Sequence, residues 1–355
     1  MPRRAVWEGR SGVAGRFEGR SRMLSDFYLQ SKDIWHVGDG LQRPETVEVG
    51  GDGSLWACDA RGFARICPDG AQIIIGQPND TSYVQQQDVN IRMSDGVLPT
   101  GFALAEQGDI IFAAYGDRKI CRMRPDGRIS TFLDSVDGVE LARPNAVVRD
   151  KKGRYWITVS TRDFRWAENV AAHPEQVSSG FVVLLDGSRA RIVADGLRFA
   201  NACRLDADER YFYVAESFGA CLTRFRVMED GTLTGREQYG PTFEGNIDGF
   251  AFDRDDNVWV TQPMLERLLV LTARGDVLRV ADFGNPSALA QFGRAVEAGM
   301  FDFNLAARCA SPELGGPTSI AFGGDDLKTV YVGAVFGNRI ASFQSPVAGT
   351  PPIYG

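Results

Sequence analysis

RPNAVVRDKKGRYWITVS, residues 143–160, is the stretch on which the fold turns. A proline leads into a small polar residue, an apolar strand, a lysine–glycine turn and an aromatic-rich second strand, which together spell a β-hairpin. The phrase recurs along the chain. It reads RPETVEVGGDGSLWACDA at 43–60, LPTGFALAEQGDIIFAAYGD at 98–117 and FANACRLDADERYFYVAES at 199–217. It returns as NIDGFAFDRDDNVWVTQ at 246–262 and GPTSIAFGGDDLKTVYVGA at 316–334.

Two more strands often follow a copy, as in ARICPDGAQIII (64–75), KICRMRPDGRISTFL (119–133), FVVLLDGSRARIVA (181–194) and LLVLTARGDVLRVA (268–281). Four strands per repeat, at spacings of about 45–70 residues, is the pattern of propeller blades. Closing the ring protects sheet edges that would otherwise pair with other chains. The expected fold is therefore all-β: a six-bladed β-propeller of four-stranded antiparallel blades around a central channel. IWHVGDGL (34–41) is placed to supply the strand that closes the last blade.

The expected organisation is an N-terminal arm (1–32), the propeller (33–345) and a C-terminal tail (346–355). Two insertions interrupt the regular spacing. They are TRDFRWAENVAAHPEQVSSG (161–180) and FGNPSALAQFGRAVEAGMFDFNLAARCASPELGG (283–316), the second with a helix expected from Pro286 to about Met300. Connections of this length in a compact domain tend to be functional, lid-like or disordered. They carry Phe164 and Trp166, then Phe283, Phe292, Met300, Phe301 and Phe303. These side chains either line an entrance or simply pack the insertions onto the propeller.

Composition excludes several classes. The formal net charge is −7, and the N-terminal arginines at 3, 4, 10, 16, 20 and 22 are interrupted by acids and apolar residues. That stretch reads as a solvated arm, and no basic stripe marks a nucleic-acid binder. No apolar run reaches the ~20 residues needed to span a bilayer, and no secretory h-region is present, so the cytoplasm is the expected location. Six cysteines are scattered without a C-x-x-C pair, which argues against a disulfide framework. With only His36 and His173, a histidine-rich zinc site is excluded. His36 belongs to the closing strand; His173, in the first insertion, is either a solvated loop residue or an acid–base group.

One position per phrase falls where the innermost strand begins: Glu45, Thr100, Asn145, Asn201, Asp248 and Thr318. In a propeller these six positions converge on the axis. Four are oxygen ligands, and two carboxylates with two amide carbonyls suit a hard cation such as Ca²⁺. A lone Glu, Asn or Asp at such a junction commonly satisfies backbone amides instead. Four at equivalent positions point to one divalent ion held by Glu45, Asn145, Asn201 and Asp248, with Ca²⁺ first and Zn²⁺, Mn²⁺ or Mg²⁺ as alternatives.

DGLQRPE (39–45), RPNAVVRDKKGRYW (143–156), GLRFANACRLDADERYFYVAES (196–217) and DGFAFDRDDNVWV (248–260) together resemble the senescence-marker-protein (regucalcin)/gluconolactonase family. The resemblance spans residues 33–345. It implies a metal-dependent hydrolase of a small-molecule lactone, with Glu45, Asn201 and Asp248 matching the family's metal ligands. Asn145 matches an asparagine that helps bind metal or substrate, and Arg143 a substrate-contacting arginine. On that footing Asp248 is the candidate proton acceptor, the asparagines steady the metal and the oxyanion, and Arg143 binds a carboxylate or carbonyl. Two positions depart from the pattern: Ala146 stands where relatives carry an Asp, a candidate base, and Thr100 where they carry an asparagine or acid. Aromatic or alkyl lactones are the expected substrates. The rival readings are a phosphotriesterase or other ester hydrolase on the same ion, and a non-enzymatic scaffold with a structural metal.

Overall fold

The computed structural model describes residues 24–76, 96–163, 165 and 178–351. Six four-stranded antiparallel sheets form the blades, five of them with their strands in chain order from the axis outward. The inner hairpins are Val47–Val49 with Leu55–Asp59, Pro99–Leu104 with Ile110–Ala114, and Pro144–Arg149 with Tyr155–Val159. Continuing round the ring come Ala200–Leu205 with Tyr211–Glu216, Phe250–Phe252 with Val258–Gln262, and Pro317–Gly323 with Thr329–Ala334. The last blade takes its outermost strand from the other end of the chain: Trp35–Val37 pairs antiparallel with Ile340–Gln344, Trp35 opposite Ser342. The ring is thus closed by the segment expected to close it.

An aspartate ahead of the turn accounts for the phrase in the third and fifth blades. Asp150 Oδ1 accepts from the amides of Lys152 and Arg154, while Oδ2 accepts from Trp156 Nε1 at 3.0 Å. Asp253 repeats this with the amides of Asp255 and Asn257 and with Trp259 Nε1 at 3.0 Å. One carboxylate therefore satisfies turn amides and an indole N–H that burial would otherwise leave unpaired.

The aromatic of the second strand then fills the wedge between neighbouring blades. Trp156 stacks on Phe212 of the fourth blade at 4.9 Å, and Trp259 meets Phe322 of the sixth edge-on at 5.8 Å. Sheets fanning out from an axis leave more room at larger radius, and only large rings fill it at interior packing density. Near the axis the constraint reverses. A Cβ on Gly101 would lie 2.6 Å from Asn145 O, and one on Gly249 would lie 2.2 Å from Thr318 O.

Hydroxyl groups tie the inner strands into a ring. Thr100 Oγ1 donates to Asn145 O, Thr158 Oγ1 to Asn201 O and Thr318 Oγ1 to Glu45 O, at 2.8, 2.6 and 2.6 Å. Each bond crosses from one blade to the next and fixes a backbone carbonyl beside an axial side chain.

The arginines of the expected N-terminal arm lie outside the described residues. Its last part packs on the propeller: Leu24 and Leu29 are buried with Trp259 and Phe343, and the Leu29 amide donates to Val280 O. At the other end Val347 and Ala348 are buried, and Ala348 O accepts from the Arg254 amide. Among the described residues no helix is long and apolar enough to cross a membrane. The second insertion forms two helices, α1 (Pro286–Glu297) and α2 (Phe303–Ala307). α1 begins as its sequence requires, with Asn285 Oδ1 accepting from the amides of Ser287 and Ala288 and proline in the first turn.

Candidate active site on the propeller axis

Glu45, Thr100, Asn145, Asn201, Asp248 and Thr318 all line one cavity of ≈ 140 Å³ at one end of the axis. Each comes from the start of a different innermost strand, so a single register repeated in every blade sets the composition of its floor. The two amides are oriented. Asn145 Nδ2 donates to Ser160 Oγ at 3.1 Å, and Asn201 Nδ2 to Ser217 Oγ at 3.0 Å. With the NH₂ ends tied to the wall, the carbonyl oxygens are the ends left for the cavity.

The carboxylates are held at a cost. Burial pushes the Asp248 carboxyl well above its ordinary range, Glu45 pushes it further, and Arg43 partly offsets both. Glu45 is also raised, again chiefly by burial, with Arg43 acting against it. Arg43 Nη1 pairs with Glu45 Oε2, both atoms buried, while Arg43 Nε is buried without a hydrogen bond. Two carboxylates and two amide oxygens thus meet on the floor of one cavity, beside Arg43. That donor set fits a hard divalent cation, which prefers about 6–8 oxygen ligands for Ca²⁺. Among the described residues no histidine or cysteine lines the cavity.

Arg143 does not reach the floor. Its guanidinium is buried over the Tyr115 ring at 5.2 Å, and Nη1 donates to Tyr115 O at 3.2 Å. It thus supports a residue that lines the cavity, while the arginine facing the cavity is Arg43. Both stand two residues before an axial ligand in an Arg-Pro-Glu or Arg-Pro-Asn triplet, so the repeat itself was the signal for Arg43. His36 Nε2 lies 3.2 Å from Glu313 O in the closing strand. His173, Phe164 and Trp166 lie outside the described residues.

The mouth is aromatic. Phe292 of α1, Phe301 and Phe303 line the cavity opposite the polar floor. Phe301 meets Phe292 edge-on at 5.4 Å and Phe303 at 5.0 Å, and Phe301 and Phe303 pack against Tyr115 and Phe199. The second insertion therefore contributes to the entrance. Phe283 instead packs on the core between the fifth and sixth blades, and Met300 is 60% exposed.

Glu266, in the turn after Val258–Gln262, pins both ends of that insertion. Its backbone O accepts from the Phe283 amide, and its Oε2 from Ser311 Oγ at 2.7 Å. It is fully buried, Oε1 has no hydrogen bond, and burial pushes the carboxyl up to about 7 against the Ser311 bonds. Because the folded value exceeds the unfolded one, the folded state keeps a proton that the unfolded chain releases. Stability should fall as pH rises from about 4.5 to 7, by on the order of 3 kcal/mol for a shift of this size. Comparing chemical denaturation of Glu266→Gln and the parent protein at pH 5 and pH 8 checks this. The parent should lose ground to the variant between the two, and parallel pH profiles would refute it.

Residues 69–298 match the family model described as the SMP-30/gluconolactonase/LRE-like region. The chain belongs to that family. A 6-deoxy-6-sulfogluconolactonase of Pseudomonas putida is 26% identical over 245 residues, covering 68% of this chain and 70% of the relative. Among solved structures, a gluconolactonase of Xanthomonas campestris superposes with a TM-score of 0.61 at 18% identity, over 88% of this chain and 89% of that one. The calcium-binding regucalcin of Agrobacterium tumefaciens gives 0.60 at 13% identity, over 90% and 97%. At these identities the structural likeness speaks for the fold.

Proposed function

We propose that this chain is a lactonase: it opens a small lactone by hydrolysis, with one divalent cation held by Glu45, Asn145, Asn201 and Asp248. The observation that carries the reading is the cavity floor, where two carboxylates and two wall-anchored amides bring acceptor oxygens into one cavity. Membership of a family that includes a sulfogluconolactonase supports the reaction class. Ca²⁺ is the first candidate, because every donor is a hard oxygen.

A divalent cation in that cavity supplies Lewis acidity for an ester carbonyl and for the attacking water. The chain's own groups divide the remaining work. Asp248, a carboxylate on the cavity floor, is placed to accept the proton that water loses on attacking the acyl carbon. Asn145 and Asn201 hold their carbonyl oxygens on the axis because Ser160 and Ser217 engage the amide nitrogens. Their role is to position the cation, since the donor ends needed to steady an oxyanion face the wall. Phe292, Phe301 and Phe303 exclude water and offer an apolar surface to the ring substituent of the substrate. That surface favours an alkyl or aromatic lactone over a polyol lactone.

The test is hydrolysis of a panel of alkyl, aromatic and sugar lactones by chelator-stripped protein, before and after Ca²⁺, Zn²⁺, Mn²⁺ or Mg²⁺ is restored. Turnover that returns with the cation and is greatest for an apolar lactone is the expected result. Absence of turnover on every lactone with every cation would sink the reading and send the search to phosphotriesters.

A further inference from the structure

Arg43 is an unusual tenant of the cavity wall. Its side chain is only 4% exposed, Nε makes no hydrogen bond, and Nη1 is engaged by the Glu45 carboxylate. Buried guanidinium donors left unmet are costly, and a fold keeps them where a ligand completes them. The backbone adds to the cost: Arg43 sits in the left-handed region at φ 58, a conformation a branched-free but bulky residue adopts under constraint. Its amide donates to Gly337 O, and its own carbonyl accepts from the Glu45 amide, so the turn holding the side chain at the cavity is fixed on both sides.

Arg43 and the axial cation claim the same carboxylate. Opening a lactone adds water across the acyl C–O bond, the hydroxyl going to the acyl carbon and a proton to the leaving alkoxide. The resulting acid then gives up a second proton to become a hydroxycarboxylate. Resting on the lactonase reading, we propose that Arg43 is the carboxylate-binding group of this site. When the cation takes Glu45, the guanidinium fork is released to hold the acyl oxygens of the ring-opened anion. Arg143, buried behind Tyr115, is not placed to do this. A planar fork suits two carboxylate oxygens where a single ammonium does not.

The test needs no turnover. Ca²⁺ is titrated into chelator-stripped parent protein and Arg43→Gln, followed by calorimetry. The Ca²⁺-loaded proteins are then titrated with 3-phenylpropanoate, and with 3-phenylpropanamide as its neutral counterpart. Arg43→Gln should bind Ca²⁺ at least as tightly, having lost a competing positive charge. It should bind the carboxylate about 10-fold or more weakly, with the amide unchanged, as expected for loss of a charge-assisted bidentate contact. A carboxylate affinity within twofold of the parent's overturns the proposal, as does an equal loss for acid and amide. If Arg43→Gln does not fold, Arg43→Lys keeps the charge without the fork. It should weaken the carboxylate alone by about threefold or more, and an unchanged affinity there overturns the proposal. Failure of the parent protein to open any lactone would strike the lactonase reading instead, and these titrations would still report on Arg43.

Discussion

Asp248→Asn should lower kcat/KM for the best lactone by about 10³-fold, within the range expected for losing a general base. The variant keeps an acceptor oxygen at the same place but loses a charge and the proton acceptor. Cation affinity should fall as well, so the assay belongs at saturating cation, where the remaining loss lies in kcat. The variant also separates catalysis from folding. In the cation-free protein Glu45 and burial both disfavour the Asp248 carboxylate, so neutralising it relieves a repulsion. Asp248→Asn should therefore melt, in chelator, no lower than the parent. Loss of activity together with a collapsed melting temperature would mean the effect is structural, and full activity at saturating cation would remove Asp248 from the mechanism.

Replacing both Phe292 and Phe301 by Ala should reverse substrate preference. Together they supply two aromatic faces of the cavity mouth, one borne on α1 and one just beyond it. Apolar contacts of this kind discriminate between substrates by about 1–3 kcal/mol. The ratio of kcat/KM for an aromatic lactone over gluconolactone should fall by about 10–100-fold, within the discrimination that apolar pockets reach. The floor residues are untouched, so gluconolactone turnover should change little. An unchanged ratio would show that the insertion packs against the cavity without contacting substrate, and a uniform loss for every lactone would show that it serves closure alone.

Much of this was legible in the chain. The hairpin phrase marked the blades because its turn residues and second-strand aromatic answer constraints that recur around the ring, as Asp150, Gly153 and Trp156 illustrate. The same register identified the six axial positions, since one place in each inner strand must face the axis. α1 was visible from Pro286, although it ends at Glu297 rather than near Met300. Where the phrase weakens, the sequence says less: the outer strand Leu233–Tyr239 is exposed along most of its length and lacks apolar alternation. The choice between Arg43 and Arg143 was not legible, because both follow the same triplet. A left-handed turn and the position of Tyr115, neither written locally, decide which guanidinium meets the cavity. The packing of Leu24 and Leu29 on the fifth and sixth blades was likewise hidden beside an arginine-rich stretch.

The central claim is that the axial oxygens hold one divalent cation. The most direct measurement is calorimetric titration of Ca²⁺ into chelator-stripped protein, beside Glu45→Gln and Asp248→Asn. The account predicts one site per chain in the parent protein, weakened at least 10-fold in each variant, which loses one charged ligand of the cavity floor. Binding of equal strength in all three proteins, or no binding of Ca²⁺, Zn²⁺, Mn²⁺ or Mg²⁺ to the parent, would contradict it.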